Sequence, residues 1–281
     1  MAMKRFPQHG TAGPRFREIP LRMMLPNLVT VLSIGVGLTG VRFAFEGRFE
    51  TAVTMVLVAA FLDGIDGRLA RLMKATSKFG AQMDSLADIV NFGVAPALVL
   101  YAFLLDRVGS PGWVAALLFA IGCGLRLARF NVLDEDLDRP PWQGEYFVGV
   151  PAPAGAIVVM FPIYLAFLGV YEPDRMTALA GSVFAALCAF LLVSRIPVYS
   201  GKKFRVRRDW ALPIILAVAL FILLFFVYPW HTLSVGVIAY LLFLPLSMRA
   251  YGKRAQIEGT KLAEAPVLAP EPVVDDEDEK G

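Results

Sequence analysis

Apolar residues collect in eight runs separated by short polar or basic connections. The runs are Met23–Phe45, Thr51–Leu69, Gly80–Leu105, Gly112–Leu133, Val150–Val170, Met176–Ile196, Trp210–Tyr228 and Leu233–Tyr251. Each approaches the roughly 20 apolar residues that carry a helix across a bilayer. The pattern predicts an all-α integral membrane protein, a polytopic bundle of about eight transmembrane helices. The first run reads as a span rather than a cleaved signal, because polar and basic residues precede it and no cleavage site follows.

Lysine and arginine orient the bundle. Lys4, Arg5, Arg15, Arg17 and Arg22 precede the first run, and Arg68, Arg71, Lys74 and Lys78 lie between the second and third. Arg126, Arg129 and Arg139 mark the fourth-to-fifth connection, Lys202, Lys203, Arg205, Arg207 and Arg208 the sixth-to-seventh, and Arg249, Lys253 and Arg254 the end of the eighth. The alternate connections are short and poor in positive charge. Eight spans with both termini cytoplasmic satisfy every loop, whereas seven would leave a basic cluster outside.

Composition agrees. Hydrophobic types make up 57% of the 281 residues and charged types 18%, against about 45–50% and 25% in soluble domains; mean hydropathy is +0.61. Cys123 and Cys188 are the only cysteines and both sit in apolar runs, which excludes a disulfide scaffold. His9 and His231 stand alone, which excludes a cysteine–histidine zinc site. Eight acidic residues against two lysines follow Ala255, so the rest of the chain is more basic than its overall charge of +3. In a membrane protein that surplus suits anionic lipid headgroups and phosphates, not nucleic acid. The expected organisation is a basic cytoplasmic segment (1–22), a six-span core (23–200), a basic loop with two further spans (201–254) and a disordered acidic tail (255–281).

The chemistry collects in Asp63-Gly-Ile-Asp66-Gly67-Arg-Leu-Ala70-Arg71 and Gly80-Ala-Gln-Met-Asp84-Ser-Leu-Ala-Asp88. Asp63 and Asp66 are one helical turn apart, and Asp84 and Asp88 project from one face of the next helix. A short polar turn joins the two, so all four carboxylates can converge near the cytoplasmic surface. Carboxylates at a bilayer are costly unless paired or bound to a cation. An all-oxygen set selects a hard ion, Mg²⁺ or Mn²⁺, and four carboxylates suit two such ions in a displacement at phosphorus. Gly67, Ala70 and Gly80 clear room for a phosphate or flat group, and Arg71 suits a phosphate. The structural alternative is an interfacial collar in which the aspartates pair with Arg68, Arg71, Lys74 and Lys78.

The spacing D-x2-D-G-x2-A-R-x8-G-x3-D-x3-D, met at every fixed position, resembles the signature of the CDP-alcohol phosphotransferases. Pro26-Asn27-Leu-Val-Thr30, the run Asp84 to Pro96 that includes Ile-Val-Asn-Phe-Gly, Arg126-Leu-Ala-Arg129-Phe-Asn131 and Tyr146 to Gly155 resemble that superfamily's bacterial and archaeal phosphatidylserine synthases. The resemblance covers roughly residues 20 to 200; the last two runs and the tail carry no motif. It implies CDP-diacylglycerol and L-serine as substrates, phosphatidylserine and CMP as products, and a homodimer in the cytoplasmic (inner) membrane with its active site at the cytoplasmic face. It further implies metal binding by Asp63, Asp66, Asp84 and Asp88, with Asp88 also the general base, and CDP contacts by Asn27, Thr30, Gly67, Ala70, Arg71, Ser77 and Gly80. Asn27 and Thr30 have local alternatives, a helix cap and a bond back to their own helix. Arg126, Arg129 and Asn131 are candidates for the serine carboxylate or lipid phosphate, or else for interfacial snorkelling. Glycerol phosphate, inositol phosphate or choline as acceptor, and a cation transporter from another class, are the competing readings.

Overall fold

A computed structural model describes residues 21–75, 77–134, 146–199 and 210–264. The helices are α1 (Leu21–Phe45), α2 (Phe49–Leu72), α3 (Lys78–Asp88), α4 (Ala95–Phe103), α5 (Ser110–Asp134), α6 (Ala152–Val159), α7 (Phe161–Phe167), α8 (Arg175–Val193), α9 (Ala211–Val227) and α10 (Pro229–Glu264). A π-helical turn, Ile89–Val94, joins α3 to α4, and a 3₁₀ turn, Leu105–Val108, follows α4. Two three-residue strands, β1 (Tyr146–Val148) and β2 (Pro197–Tyr199), depart from the all-helical expectation. These elements divide into two compact units, α1 to α8 in one and β1, β2, α9 and α10 in the other.

In the first unit α1 packs along α2 and α5 along α8, with the α3–π–α4 rod touching α1, α2, α5 and α6. Small residues permit the close approaches. A side chain at Gly40 would meet the Ala52 carbonyl oxygen at 3.0 Å, and one at Gly122 the Ala189 carbonyl oxygen at 3.2 Å, so the paired backbones nearly touch. Gly35 and Gly124, on the same two helices, face open space. The core runs through Val53, Val56, Phe92, Leu100, Phe119, Met160, Ile163 and Leu192, all buried. Outside it, Leu179, Val183, Leu187 and Phe190 form an exposed apolar stripe along α8. Such a stripe needs lipid, not water.

Among the described residues five stretches are long and apolar enough to cross a membrane: Met24–Phe45, Lys78–Phe103, Ser110–Leu133, Arg175–Val193 and Pro229–Gly252. The second apolar run lies in α2, which has 24 residues but carries the polar signature in its last turns. The fifth run is broken. It forms α6 and α7, meeting at Met160, because Pro162 has no N–H for the Val158 carbonyl and its ring crowds the preceding turn.

In the second unit β1 and β2 pair antiparallel, Phe147 opposite Val198. Ser247 Oγ of α10 donates to the Pro197 carbonyl at 3.0 Å. None of the 17 residues of α9 is buried, as expected of a helix apolar on every side and solvated by lipid. α10 runs to Glu264, ten residues into the segment expected to be a disordered tail. Ala255-Gln-Ile-Glu and Lys261-Leu-Ala-Glu are good helix formers, and proline first intervenes at Pro266. The basic loop Lys202–Arg208, the N-terminal basic residues before Leu21 and the acidic run Asp275–Glu279 lie outside the described residues.

Candidate active site

Every candidate site residue lies in the first unit. α2 delivers Asp63 and Asp66 from successive turns. The chain then reverses through Lys74, whose φ of 49° closes the turn, and α3 starts at Ser77. Ser77 is the N-cap: its hydroxyl accepts the Gly80 amide N–H at 3.0 Å, one of the orphan donors of a helix start. That cap fixes the phase of α3, so that Asp84 and Asp88 face α2.

The result is two facing pairs. Asp66 meets Asp84 and Asp63 meets Asp88, each within side-chain hydrogen-bonding reach. Asp66 is buried; its Oδ1 accepts the Gly67 N–H at 2.5 Å, and its Oδ2 lies 2.7 Å from Thr30 Oγ1. Thr30 Oγ1 also sits 3.1 Å from the Pro26 carbonyl. Its single proton therefore has two acceptors, and the shorter contact is to the carboxylate. Asp63 Oδ1 accepts from Asn91 Nδ2 at 3.3 Å. Arg71 stands beside Asp84 and the buried Arg126 beside Asp88.

The interfacial collar is not what forms. Among the described residues Arg68, Arg71, Lys74 and Lys78 make no ion pair with the tetrad, while Arg42 pairs with Glu46 at the other end of the bundle. Four carboxylates face one another, Arg71 standing beside Asp84 and Arg126 beside Asp88, and four negative charges so close repel one another unless cations or protons enter. The donors fit hard divalent ions by chemistry: all are carboxylate oxygens, drawn from two helices. Among the described residues no three of them converge as a ready-made cage; the set is two pairs.

Beside the pairs opens a cleft of about 180 Å³ lined by Pro26, Asn27, Thr30, Asp66, Gly67, Ala70, Arg71, Ala75, Ser77, Gly80, Ala81 and Asp84. All seven residues expected to contact CDP line this one cleft. Pro26, Ala75 and Ala81 join them; the sequence pattern singled out none of the three for this role, since small or apolar residues carry no chemical signal. The clearance at Gly80 is specific: a Cβ there would stand 3.0 Å from Asn27 Oδ1 and 3.1 Å from Ser77 Oγ. At Gly67 a Cβ would meet only Arg71 Nη1, at 3.7 Å.

The remaining candidates separate. Arg126 stays at Asp88, its guanidinium 5.5 Å from the Phe130 ring centre. Arg129 Nη1 donates to the Val193 carbonyl at 2.6 Å, tying α5 to the last carbonyls of α8. Asn131 Nδ2 donates to Ser85 Oγ at 3.1 Å, between Asp84 and Asp88 in sequence. Two residues with no assigned role also belong to the network, Ser33 and Asn91. The signal for Asn91 was its spacing, since positions 84, 88 and 91 share a helix face.

A helical membrane core with this site defines a class, and comparison agrees. The family model described as CDP-alcohol phosphatidyltransferase matches residues 23–193, and the chain belongs to that family. A second model, CDP-alcohol phosphatidyltransferase 2, matches residues 209–245, where the motifs gave nothing. The chain is 39% identical over 240 residues to the CDP-diacylglycerol--serine O-phosphatidyltransferase of Mycobacterium leprae, covering 85% of this chain and 79% of that one. Against the Helicobacter pylori J99 enzyme of the same name it is 36% identical over 226 residues, 78% of this chain and 89% of that one. The archaetidylserine synthase of Methanothermobacter thermautotrophicus is 32% identical over 145 residues, 51% of this chain and 59% of that one.

Proposed function

We propose that this chain transfers the phosphatidyl group of CDP-diacylglycerol to the hydroxyl of L-serine, giving phosphatidylserine and CMP. The observation that carries the reading is the pair of facing aspartates, Asp63 with Asp88 and Asp66 with Asp84, at a cleft walled by Gly67, Gly80 and Arg71. The relatives whose names carry serine differ in their lipid, phosphatidyl or archaetidyl, and share the acceptor; that supports serine over a phosphorylated alcohol.

In this mechanism the chain positions and screens. The CDP moiety lies in the cleft, its phosphates toward Arg71 and its flat groups over Gly67 and Gly80. Asp88 takes the proton of the serine hydroxyl as that oxygen bonds to the phosphorus bearing diacylglycerol; the bond from that phosphorus to the bridging oxygen breaks and CMP leaves with the electron pair. A base within reach of a neutral hydroxyl contributes about 10²–10⁴-fold. Arg126, next to Asp88, presents a guanidinium fork to the serine carboxylate, and Asn131 with Ser85 flanks it. Asp63, Asp66, Asp84 and Asp88 would hold two Mg²⁺ or Mn²⁺ ions, which when bound neutralise the pyrophosphate and the charge developing on the leaving group.

The protein works as a homodimer in the cytoplasmic (inner) membrane, with eight spans, both termini and the active site on the cytoplasmic side. Residues 23–200 form the catalytic core, and the basic loop with the last two spans (201–254) meets anionic lipid.

The test is CMP release by purified protein in detergent with CDP-diacylglycerol and Mn²⁺ or Mg²⁺. L-serine, choline, inositol phosphate and glycerol phosphate are offered in turn, beside Asp88→Asn and a chelated control. Release with serine alone, lost on chelation and reduced at least 10²-fold by the substitution, is the expected result. Release with another acceptor keeps the family and overturns serine. No release with any acceptor, from folded protein, overturns the transferase reading.

A further inference from the structure

We propose that Asn91 is a positioning residue: from the π-turn Ile89–Val94 it fixes the Asp63 carboxylate, and through it the Asp63–Asp88 pair. The inference rests on the reading of Asp63 as a metal ligand given above. Asn91 is fully buried in the middle of that turn, and π-turns inside α-helices concentrate at functional sites. Its Nδ2 reaches two helices at once, 3.3 Å from Asp63 Oδ1 on α2 and 3.0 Å from Ser33 Oγ on α1.

The amide can face only one way. Ser33 Oγ is 2.8 Å from the Thr30 carbonyl and gives its proton there; it has only lone pairs left for Asn91. Asp63, when ionised, is also acceptor-only. Turning the amide over would set a carbonyl oxygen against two acceptors. The NH₂ group must therefore point at Ser33 and Asp63, one N–H for each. The cost appears on the other side. Asn91 Oδ1 is buried with no hydrogen-bond partner and lies against Gly37, where an added Cβ would stand only 2.7 Å from it. An unsatisfied buried carbonyl is destabilising, and a leucine of similar size would avoid it. What the asparagine supplies in return is the two N–H bonds, one of them to a carboxylate of the tetrad. Groups that hold a ligand from behind set its orientation and the affinity of the site.

The lever can be pulled from two places. Asn91→Leu removes both donors at similar volume. Gly37→Ala leaves every donor in place but forces Asn91 Oδ1 to move, its other near contact being an ordinary 3.6 Å to Ala59 Cβ. Asp63→Asn is the reference. Mn²⁺ dissociation constants come from electron paramagnetic resonance of the detergent-solubilised full chain, alongside kcat and KM for CDP-diacylglycerol. Asn91→Leu is expected to weaken Mn²⁺ binding and lower kcat by about 10–100-fold, with KM for the lipid nucleotide within about twofold. Gly37→Ala moves both readouts in the same direction by less. In the Asp63→Asn background, Asn91→Leu adds nothing further, since its effect passes through that carboxylate. Wild-type Mn²⁺ affinity in folded Asn91→Leu, or full additivity in the double variant, overturns the proposal. Should Asn91→Leu fail to fold, unchanged Mn²⁺ affinity in folded Gly37→Ala overturns it as well. If Asp63→Asn itself leaves metal binding and rate untouched, the tetrad reading is what fails, and this inference goes with it.

Discussion

The two glycines of the cleft wall separate what the site needs for itself from what a ligand needs of it. At Gly80 a methyl group would press on Asn27 Oδ1 and Ser77 Oγ, at 3.0 and 3.1 Å, so the empty site must already adjust. At Gly67 the same methyl meets only the end of Arg71, at 3.7 Å. Alanine is also the better helix former by about 1 kcal/mol, so Gly67→Ala should not lower thermal stability, whereas at Gly80 that gain is set against the crowded Ser77 cap. Gly67→Ala is expected to leave the melting temperature equal or higher while weakening CDP binding about tenfold, measured by calorimetric titration with CDP. Unchanged CDP affinity would mean that no phosphate or ring passes over that face, and the cleft assignment would lose its main support. The signature aspartates and glycines were legible in the sequence because fixed spacing on a helix is a geometric statement. Ser33 was not, since a serine inside an apolar run has no spacing rule that says which neighbouring helix it will touch; Asn91 shares the face of Asp84 and Asp88, but that spacing alone does not say that it bonds Asp63 and Ser33.

At the scale of elements, ends and breaks decide the geometry. α8 begins with a reciprocal cap: the Thr177 N–H donates to Asp174 Oδ1 at 2.7 Å, and the Asp174 N–H to Thr177 Oγ1 at 2.9 Å. The Thr177 amide holds the Asp174 carboxyl below its ordinary value. A carboxylate whose folded value is depressed stabilises the fold fully above its unfolded value and loses that contribution as pH falls through the folded one. Asp174→Ala should thus lower the melting temperature at neutral pH and converge with the parent chain under strongly acid conditions. Its activity per folded molecule should be unchanged, because the cap lies at the far end of α8 from Val193 and the site. A difference that persists at acid pH would assign the loss to packing, not to the cap. Element positions followed the apolar runs closely, but the breaks within them did not. The split of α6 from α7 and the π-turn both lie inside apolar runs whose overall pattern gives no sign of a break, and proline and packing decide it there.

On the scale of the whole molecule, the charge pattern makes a claim about sidedness that the apolar runs alone do not. If the basic connections lie inside, the turn that carries the tetrad is cytoplasmic and the links before α5, before α8 and before α10 are external. Cys123 and Cys188 are free and buried, so the native thiols offer little background to a water-borne label. Single cysteines at Ser110, Glu172 and His231, all exposed in or directly after those links, are expected to react with a membrane-impermeant maleimide in intact spheroplasts. Cysteines at Lys78 and Gly252, also exposed, are expected to react only after lysis. That alternation is the signature of eight spans with an internal active site. Labelling of Lys78→Cys in intact spheroplasts would put the tetrad on the outer face, away from a nucleotide made in the cytoplasm. Labelling of Gly252→Cys alone would leave the catalytic half as proposed and make the span count odd. The positive residues would then have to be explained by lipid contact, since the orientation rule would have failed at the last loop.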